Sequence, residues 1–284
     1  MAESKIAILT DSCADVPQEY VARYQMYVVP LLIRYQDGEY RDKIDIRPEQ
    51  VYARFHEEIP KTSLPGAEEI AAQFQRIVDD GYRQAVIISI SSGLSGTANM
   101  LRLVAKDFPM LDCRLIDTKN IAIGAGFTAI RAGELIEAGR SLDQLERELL
   151  ALVSRTKVFF CVSTLEYLKK GGRIGFVTAT LGEIFDLKPV ITCNADGVYH
   201  TVHKARGRKR ALKDAVALAV DYVKGHTAYR LAVMHGDAEA EAELLLQTLR
   251  GLLPTPQLIV TGQISPALVV HTGPGLVGVG VQCV

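Results

Sequence analysis

Apolar positions in the first half of the chain alternate between short unbroken runs and runs spaced three or four residues apart, as in a sheet with crossover helices. Ile6 to Leu9 predict a strand, with Thr10-Asp11-Ser12 at its end, and the Asp37-Gly38 dipeptide suits the tight turn of a hairpin. Ile70, Phe74, Ile77 and Val78 fall at helical spacing, which predicts an amphipathic helix over residues 66 to 80, entered through "KTSLPG". Ala85 to Ile90 form a continuous apolar strand. It runs into "SSGLSGTAN" and a helix whose apolar face carries Met100, Leu101, Val104 and Phe108. Residues 141 to 153 read as a further helix, with Ser141 and Gln144 placed as a capping box.

The pattern shifts near residue 155. "VFFCV" (158 to 162) reads as a strand, "STLEYLKK" as a short helix, and Gly171-Gly172 as its stop. "PVITC" and "VYHTVHK" flank "NADG" as a hairpin, and a helix follows over roughly 208 to 224, with Leu212, Val216, Val220 and Val223 on one side. The tail predicts strands at "LAVM", "LIVTG", "ALVV" and "LVGVGVQ". The expected fold class is α/β: an N-terminal parallel-sheet α/β domain over residues 1–157, then a C-terminal α+β domain with a mixed or antiparallel sheet over 158–284. No repeat or low-complexity linker separates the two, so a substantial interface is expected between them.

Composition narrows the function. With 284 residues and 48% hydrophobic content the chain can build one large or two ordinary domains. Lys plus Arg number 32 against 33 Asp plus Glu, so no overall charge commits it to nucleic acid or to a membrane surface. No run reaches the roughly 18 apolar residues of a spanning helix, and the amino-terminal residues lack the apolar core of a secretory signal. A cytoplasmic protein with at most transient membrane contact is expected. Cys13, Cys113, Cys161, Cys193 and Cys283 are odd in number, far apart and never in a C-x-x-C pair, which indicates neither a disulfide framework nor a zinc site. Buried reduced thiols are expected, and neither a metal nor a cofactor is called for.

Three small-polar junctions carry candidate chemistry. In "ISISSGLSGTAN", Ser95 is placed as an N-cap and the amides of Gly96 and Thr97 open the helix; anion binding and plain capping fit this equally. A nucleophile elbow needs a glycine where Thr97 stands, and a Walker loop needs a lysine that is absent between Ala85 and Ala105. In "KTSLPG", Thr62 and Ser63 precede the next helix, with Pro65 at an early helical position. Two hydroxyl-bearing helix starts on adjacent parallel strands would converge at the carboxyl edge of the sheet, where α/β ligands sit. In "VVHTGPGLVG", His271 is expected at the end of an apolar strand beside a glycine-forced turn. His56, His200, His203, His226 and His235 read as hydrogen-bonded core residues, and His200 and His203 would face opposite sides of a strand, unsuited to share a metal. The basic clusters "HKARGRKR" and "LKKGGRIG" are solvated loops or a dock for an acidic or phosphorylated partner; without interleaved aromatics they do not suit nucleic acid.

Taken together, "KIAILTDSCADVP", "KTSLPG", "ISISSGLSGTANM", "STLEYLKKGGRIG", "KARGRKRAL" and "HTGPGLVG" resemble the DegV family in order and spacing, from residue 5 to about 280. The resemblance implies a bacterial protein that binds a long-chain fatty acid in a tunnel. Several members of the family serve as the lipid-binding subunit of a two-component fatty acid kinase, which makes acyl phosphate for phospholipid synthesis. Carried over, it makes Thr62, Ser95 with the Gly96 amide, and His271 the carboxylate-binding group, with Ser63 and Ser92 as neighbours. Arg173 and Arg206 become the residues that meet an ATP-dependent fatty acid kinase subunit or its phosphate. Where the family commonly has T-S-Q-P-S, this chain has Thr62-Ser63-Leu64-Pro65-Gly66, which removes an amide and a hydroxyl near the head group. No residue set is suited to hold ATP and magnesium, so a lipid-binding subunit rather than an enzyme is expected. A non-catalytic lipid carrier or regulator, and a stand-alone hydrolase using Ser95 and His271, are the alternatives.

Overall fold

A computed structural model describes residues 5–177 and 187–284. Four strands, β1 (Ile6–Asp11), β2 (Tyr27–Val29), β6 (Gln84–Ser89) and β7 (Asp112–Asp117), make a parallel sheet in the order β2-β1-β6-β7. Successive side chains of a strand point to opposite faces, and the sequence uses both. Ala7, Leu9, Ala85 and Ile87 pack against α3 (Ala67–Asp79) and α4 (Thr97–Ala105). Ile6, Ile8, Val86 and Ile88 pack against α5 (Ile123–Glu137) and α6 (Leu142–Val153), whose start carries the Ser141–Gln144 capping box.

The second sheet is mixed, in the order β10-β9-β8-β13-β11-β12: β8 (Thr156–Cys161), β9 (Leu187–Cys193), β10 (Tyr199–Arg206), β11 (Tyr229–Gly236), β12 (Leu258–Gln263) and β13 (Leu276–Cys283). Only β11 and β12 run parallel within it. One face packs on α8 (Arg208–Val223) and α9 (Glu239–Leu252) through Phe159, Leu231, Val277 and Val279. The other face, through Val158, Phe160, Ala232 and Met234, looks back toward α5. This is the α/β arrangement expected, an N-terminal parallel sheet and a C-terminal mixed one.

The α5 helix belongs to both layers. Ala129, Ala132 and Leu135 face the parallel sheet while Ile123, Phe127 and Ile130 face the mixed one. Gly126 and Gly133 let the segment between β1 and β2 approach α5, because a Cβ on Gly126 would collide with the Ala14 carbonyl and one on Gly133 with the Tyr24 ring. The buried Arg230 of β11 donates to the Phe127 carbonyl (3.2 Å) and pairs with Glu134, so β11 is tied to α5 by charge as well as by apolar contact.

A third, small antiparallel sheet β4-β3-β5 is formed by β3 (Leu32–Tyr35), β4 (Gly38–Arg41) and β5 (Lys61–Ser63). The hairpin expected at Asp37-Gly38 is β3–β4. Thr62 and Ser63 therefore lie in a strand of this separate sheet, not at a helix start on the parallel sheet. Pro65 stands ahead of Gly66, the N-cap of α3. The expected strand "ALVV" is helical: it lies in α10 (Pro266–Thr272), which Pro266 opens at its first position, so His271 sits on a last helical turn. Of the histidines expected in the core, His56, His203 and His226 are exposed.

The two sheets also meet through the loop after β6. Ser91 donates from Oγ to the Gly197 carbonyl in the β9–β10 turn (2.8 Å) and accepts from the Gly93 amide (3.0 Å). A Cβ at Gly93 would strike the backbone of Asp196 and Gly197, so only glycine fits there. Ser91→Ala leaves a buried carbonyl unpaired and is expected to cost about 1–3 kcal/mol, measured by urea denaturation against wild type.

Candidate functional site

Segments from distant parts of the chain meet at one cavity between the sheets. Its wall includes Cys13, Thr62, Ser95, Arg173, Tyr199 and His271, and its empty volume is about 420 Å3. Thr62 arrives on β5 and His271 on α10, and Thr62 Oγ1 shares a hydrogen bond of 2.6 Å with His271 Nε2. The other ring nitrogen, Nδ1, is buried without a hydrogen-bond partner against Gly171, where a Cβ would collide with it. Protein surrounds the ring even though part of it opens to the cavity. Desolvation, reinforced by the Arg173 charge, lowers its pKa to about 3. The imidazole is thus neutral at physiological pH and carries a single N–H.

Ser95 stands one residue earlier than a cap: Gly96 is the N-cap of α4. The Ser95 hydroxyl accepts from the Thr97 amide (3.3 Å) and bonds Thr97 Oγ1 (2.8 Å), while Leu64 packs over Gly96. The leucine found in place of the common family glutamine therefore gives an apolar cover at this helix start. Arg173, expected to meet a kinase subunit or its phosphate, lines the cavity. Its Nε–H donates to the Leu94 carbonyl (3.2 Å) and its Nη1–H to the Gly171 carbonyl (2.8 Å), which holds the guanidinium across the loop that carries Ser95. Ser63 and Ser92 do not line the cavity. The Ser63 hydroxyl is buried without a partner, and Ser92 accepts from Lys119 Nζ (3.0 Å) while its amide donates to Asp117 (3.1 Å). Arg206 is exposed at the end of β10, away from the cavity.

A second cavity shares Ile121, Tyr199, Leu268 and Thr272 with the first, and its remaining wall is almost wholly apolar, including Val158, Phe160, Met234 and Leu276. Its floor is β13, whose inward face reads Leu276, Gly278, Gly280. Gly278 pairs with Phe160 on one side and with Met234 on the other, so two large side chains flank a position with none. A Cβ there would touch only Phe160 closely, and a groove is left along the strand. The floor ends where Ile123 of α5 closes over Gly280. Hydroxyls, an imidazole and a guanidinium at one end, with an apolar groove at the other, suit a ligand with an anionic head and a hydrocarbon tail.

The sequence pattern did not reveal Cys13, Tyr199 or the cavity-lining place of Arg173. The helical setting of His271 was encoded in Ser265-Pro266, an N-cap residue followed by proline at the first helical position.

A family model for the DegV family matches residues 5–283. The chain belongs to the DegV family. A DegV domain-containing protein of Clostridium acetobutylicum is 37% identical over 274 residues, covering 96% of this chain and 97% of that one. Among solved structures, a DegV family protein of Thermus thermophilus, described by its fatty acid binding, superposes with a TM-score of 0.93 at 31% identity, over 99% of this chain and 100% of that one. DegV of Bacillus subtilis, a fatty acid binding protein, gives 0.91 at 26% identity over 99% and 100%. A stearic acid-binding protein of Eubacterium ventriosum gives 0.89 at 28% identity over 98% of each chain. No helix among the described residues of this DegV chain is long and apolar enough to cross a membrane.

In the ligand-free protein the His271 ring is expected to stay neutral on acidification to about pH 4, followed by NMR of its ring carbons; titration near the ordinary value of about 6.5 would contradict its desolvation.

Proposed function

We propose that this DegV protein binds a long-chain fatty acid, with its carboxylate among Thr62, Ser95, His271 and Arg173 and its tail in the groove over Gly278. The observation that carries this reading is the shared wall of the polar and apolar cavities at Ile121, Tyr199, Leu268 and Thr272. A fatty acid needs both halves. Its carboxylate is prohibitively costly to bury unless donors and a counter-charge meet it, and the neutral imidazole leaves Arg173 as the cation within reach. Each buried methylene contributes up to about 0.8 kcal/mol, so a dozen contribute on the order of 10 kcal/mol before ordering costs. Affinity comes from the tail, and position from the head.

The protein's role is to offer that carboxylate to a separate ATP-dependent fatty acid kinase subunit for phosphoryl transfer to acyl phosphate. The exposed Arg206 supports such a docking face, beside Lys204 on the same strand. Stand-alone hydrolysis is disfavoured because the reading needs His271 on Ser95, whereas its Nε2 is bonded to Thr62 and its Nδ1 is packed on Gly171.

Mass spectrometry of the protein under native and then denaturing conditions is expected to release a fatty acid in near-stoichiometric amount; an empty protein that also fails to take up added fatty acids overturns the reading. Gly278→Val fills the groove between Phe160 and Met234, and is expected to shift the retained acids toward shorter chains, at a cost of about 1–3 kcal/mol from overpacking. Arg206→Glu should slow acyl phosphate formation with the cognate kinase while sparing lipid retention, whereas Arg173→Glu should weaken both. Loss of retention in the Arg206 variant would place that residue at the lipid instead.

A further inference from the structure

The seven-residue α10 that delivers His271 has its first amides satisfied from elsewhere in the chain. Its N-cap Ser265 makes no side-chain cap; the hydroxyl instead points to Cys13 Sγ at 3.8 Å. Pro266 has no N–H, which leaves the Ser265 and Ala267 amides as the donors to be satisfied. Ser265 N–H donates to both carboxylate oxygens of Asp15 (3.2 and 3.4 Å), and Ala267 N–H donates to Asp42 Oδ1 (3.0 Å). These acceptors lie 250 and 225 residues away in the chain, and both carboxylates are buried. Lys43 joins them through its ion pair with Asp15 at 2.7 Å.

The backbone around these acids is strained. Asp15 and Lys43 both sit in the left-handed region, at φ of 49° and 64°, a conformation that non-glycine residues adopt uncommonly. Such strain persists only where surrounding contacts over-determine it, and here the contacts are those that hold α10.

We propose that Asp15 and Asp42 are positioning residues for the ligand head group: by holding the amino end of α10 they set where His271, one and a half turns further on, meets Thr62. Neither lines the cavity beside His271, although Asp42 is bonded to Ala267, which does. Their action passes along the helix axis, since a short helix pinned at one end by two charge-assisted hydrogen bonds has little freedom to rotate or slide. Burial raises the pKa of Asp42 to about 6, against lowering contributions from Lys43, the Ser12 hydroxyl and the Ala267 amide, with Asp15 opposing them. Asp11, whose own pKa is about 6, and the Cys13 thiol complete the titratable groups around it. A carboxylate whose folded pKa is raised burdens the fold with its charge above about pH 6, and that burden fades as pH falls toward the unfolded value. Its retention at the end of α10 is therefore better explained by what it holds than by stability.

The proposal rests on the fatty-acid reading for its lipid readout, and the test separates the two. In ligand-free protein, Asp42→Ala is expected to shift the His271 ring-carbon resonances while leaving those of the remote His226 in place, a result that needs no lipid. With oleic acid, the same variant is expected to speed dissociation about tenfold in wild-type background and to add nothing in a His271→Ala background. Asp42→Asn, which keeps an acceptor, should give a smaller effect of the same kind and serves in place of Asp42→Ala if that variant does not fold. Unmoved His271 resonances, or effects of the Asp42 and His271 variants that simply add, would overturn the positioning role. A wild-type protein that binds no oleic acid overturns the fatty-acid reading alone, and the resonance shift then decides the positioning.

Discussion

An anionic head group can leave water only where donors already converge, and convergence on that scale cannot come from one stretch of chain. Thr62, Ser95, Arg173 and His271 come from a small antiparallel sheet, the loop after β6, the segment after a short helix at Glu166–Lys170 and the end of α10. Each is fixed by a local device. Thr62 is in register with Ile33 in β3, Ser95 is bonded to Thr97, Arg173 holds two carbonyls, and α10 is pinned at its start. The layers of the fold can be understood as the means of bringing these four devices to the wall of one cavity while keeping an apolar groove beside them.

The groove follows from a departure from ordinary strand composition. Glycine weakens a strand interior, yet two of the inward positions of β13, a central strand of its sheet, are glycines. A Cβ on Gly280 would press on Ile123 of α5 and one on Gly278 on Phe160 of β8, and both glycines line the apolar cavity. The missing side chains thus admit a helix at one end of the strand and contribute to the groove at the other.

The strands and helices with clean periodicity were legible in the sequence: Ile6 to Leu9, the 66 to 80 helix, the capping box at Ser141 and the "NADG" hairpin all fall where their patterns place them. Two failures have physical causes. "ALVV" is a buried run of apolar residues with no polar face, so its period cannot separate helix from strand, and the Ser265-Pro266 cap was the better signal. Helix α5 escaped notice because it is buried on nearly every side and so shows little amphipathic contrast. Of the site, the motif residues Thr62, Ser95 and His271 were legible as candidates, but their shared cavity was not, since the argument from two helix starts on one parallel sheet does not hold for Thr62. The inward place of Arg173 is not legible, because a basic run gives no sign of which cation lines a cavity.

The position of α5 between the sheets bears on how the chain acquires its structure. The contacts of α5 with β11 and β13 join residues far apart in the chain, 96 positions for Glu134 with Arg230 and 103 for Phe127 with Arg230. The parallel sheet completed alone would leave Ile123, Phe127 and Ile130 facing water. Strands β11 and β13 supply surface that covers them, so on a ribosome the nascent chain cannot reach this packing until β13 has emerged.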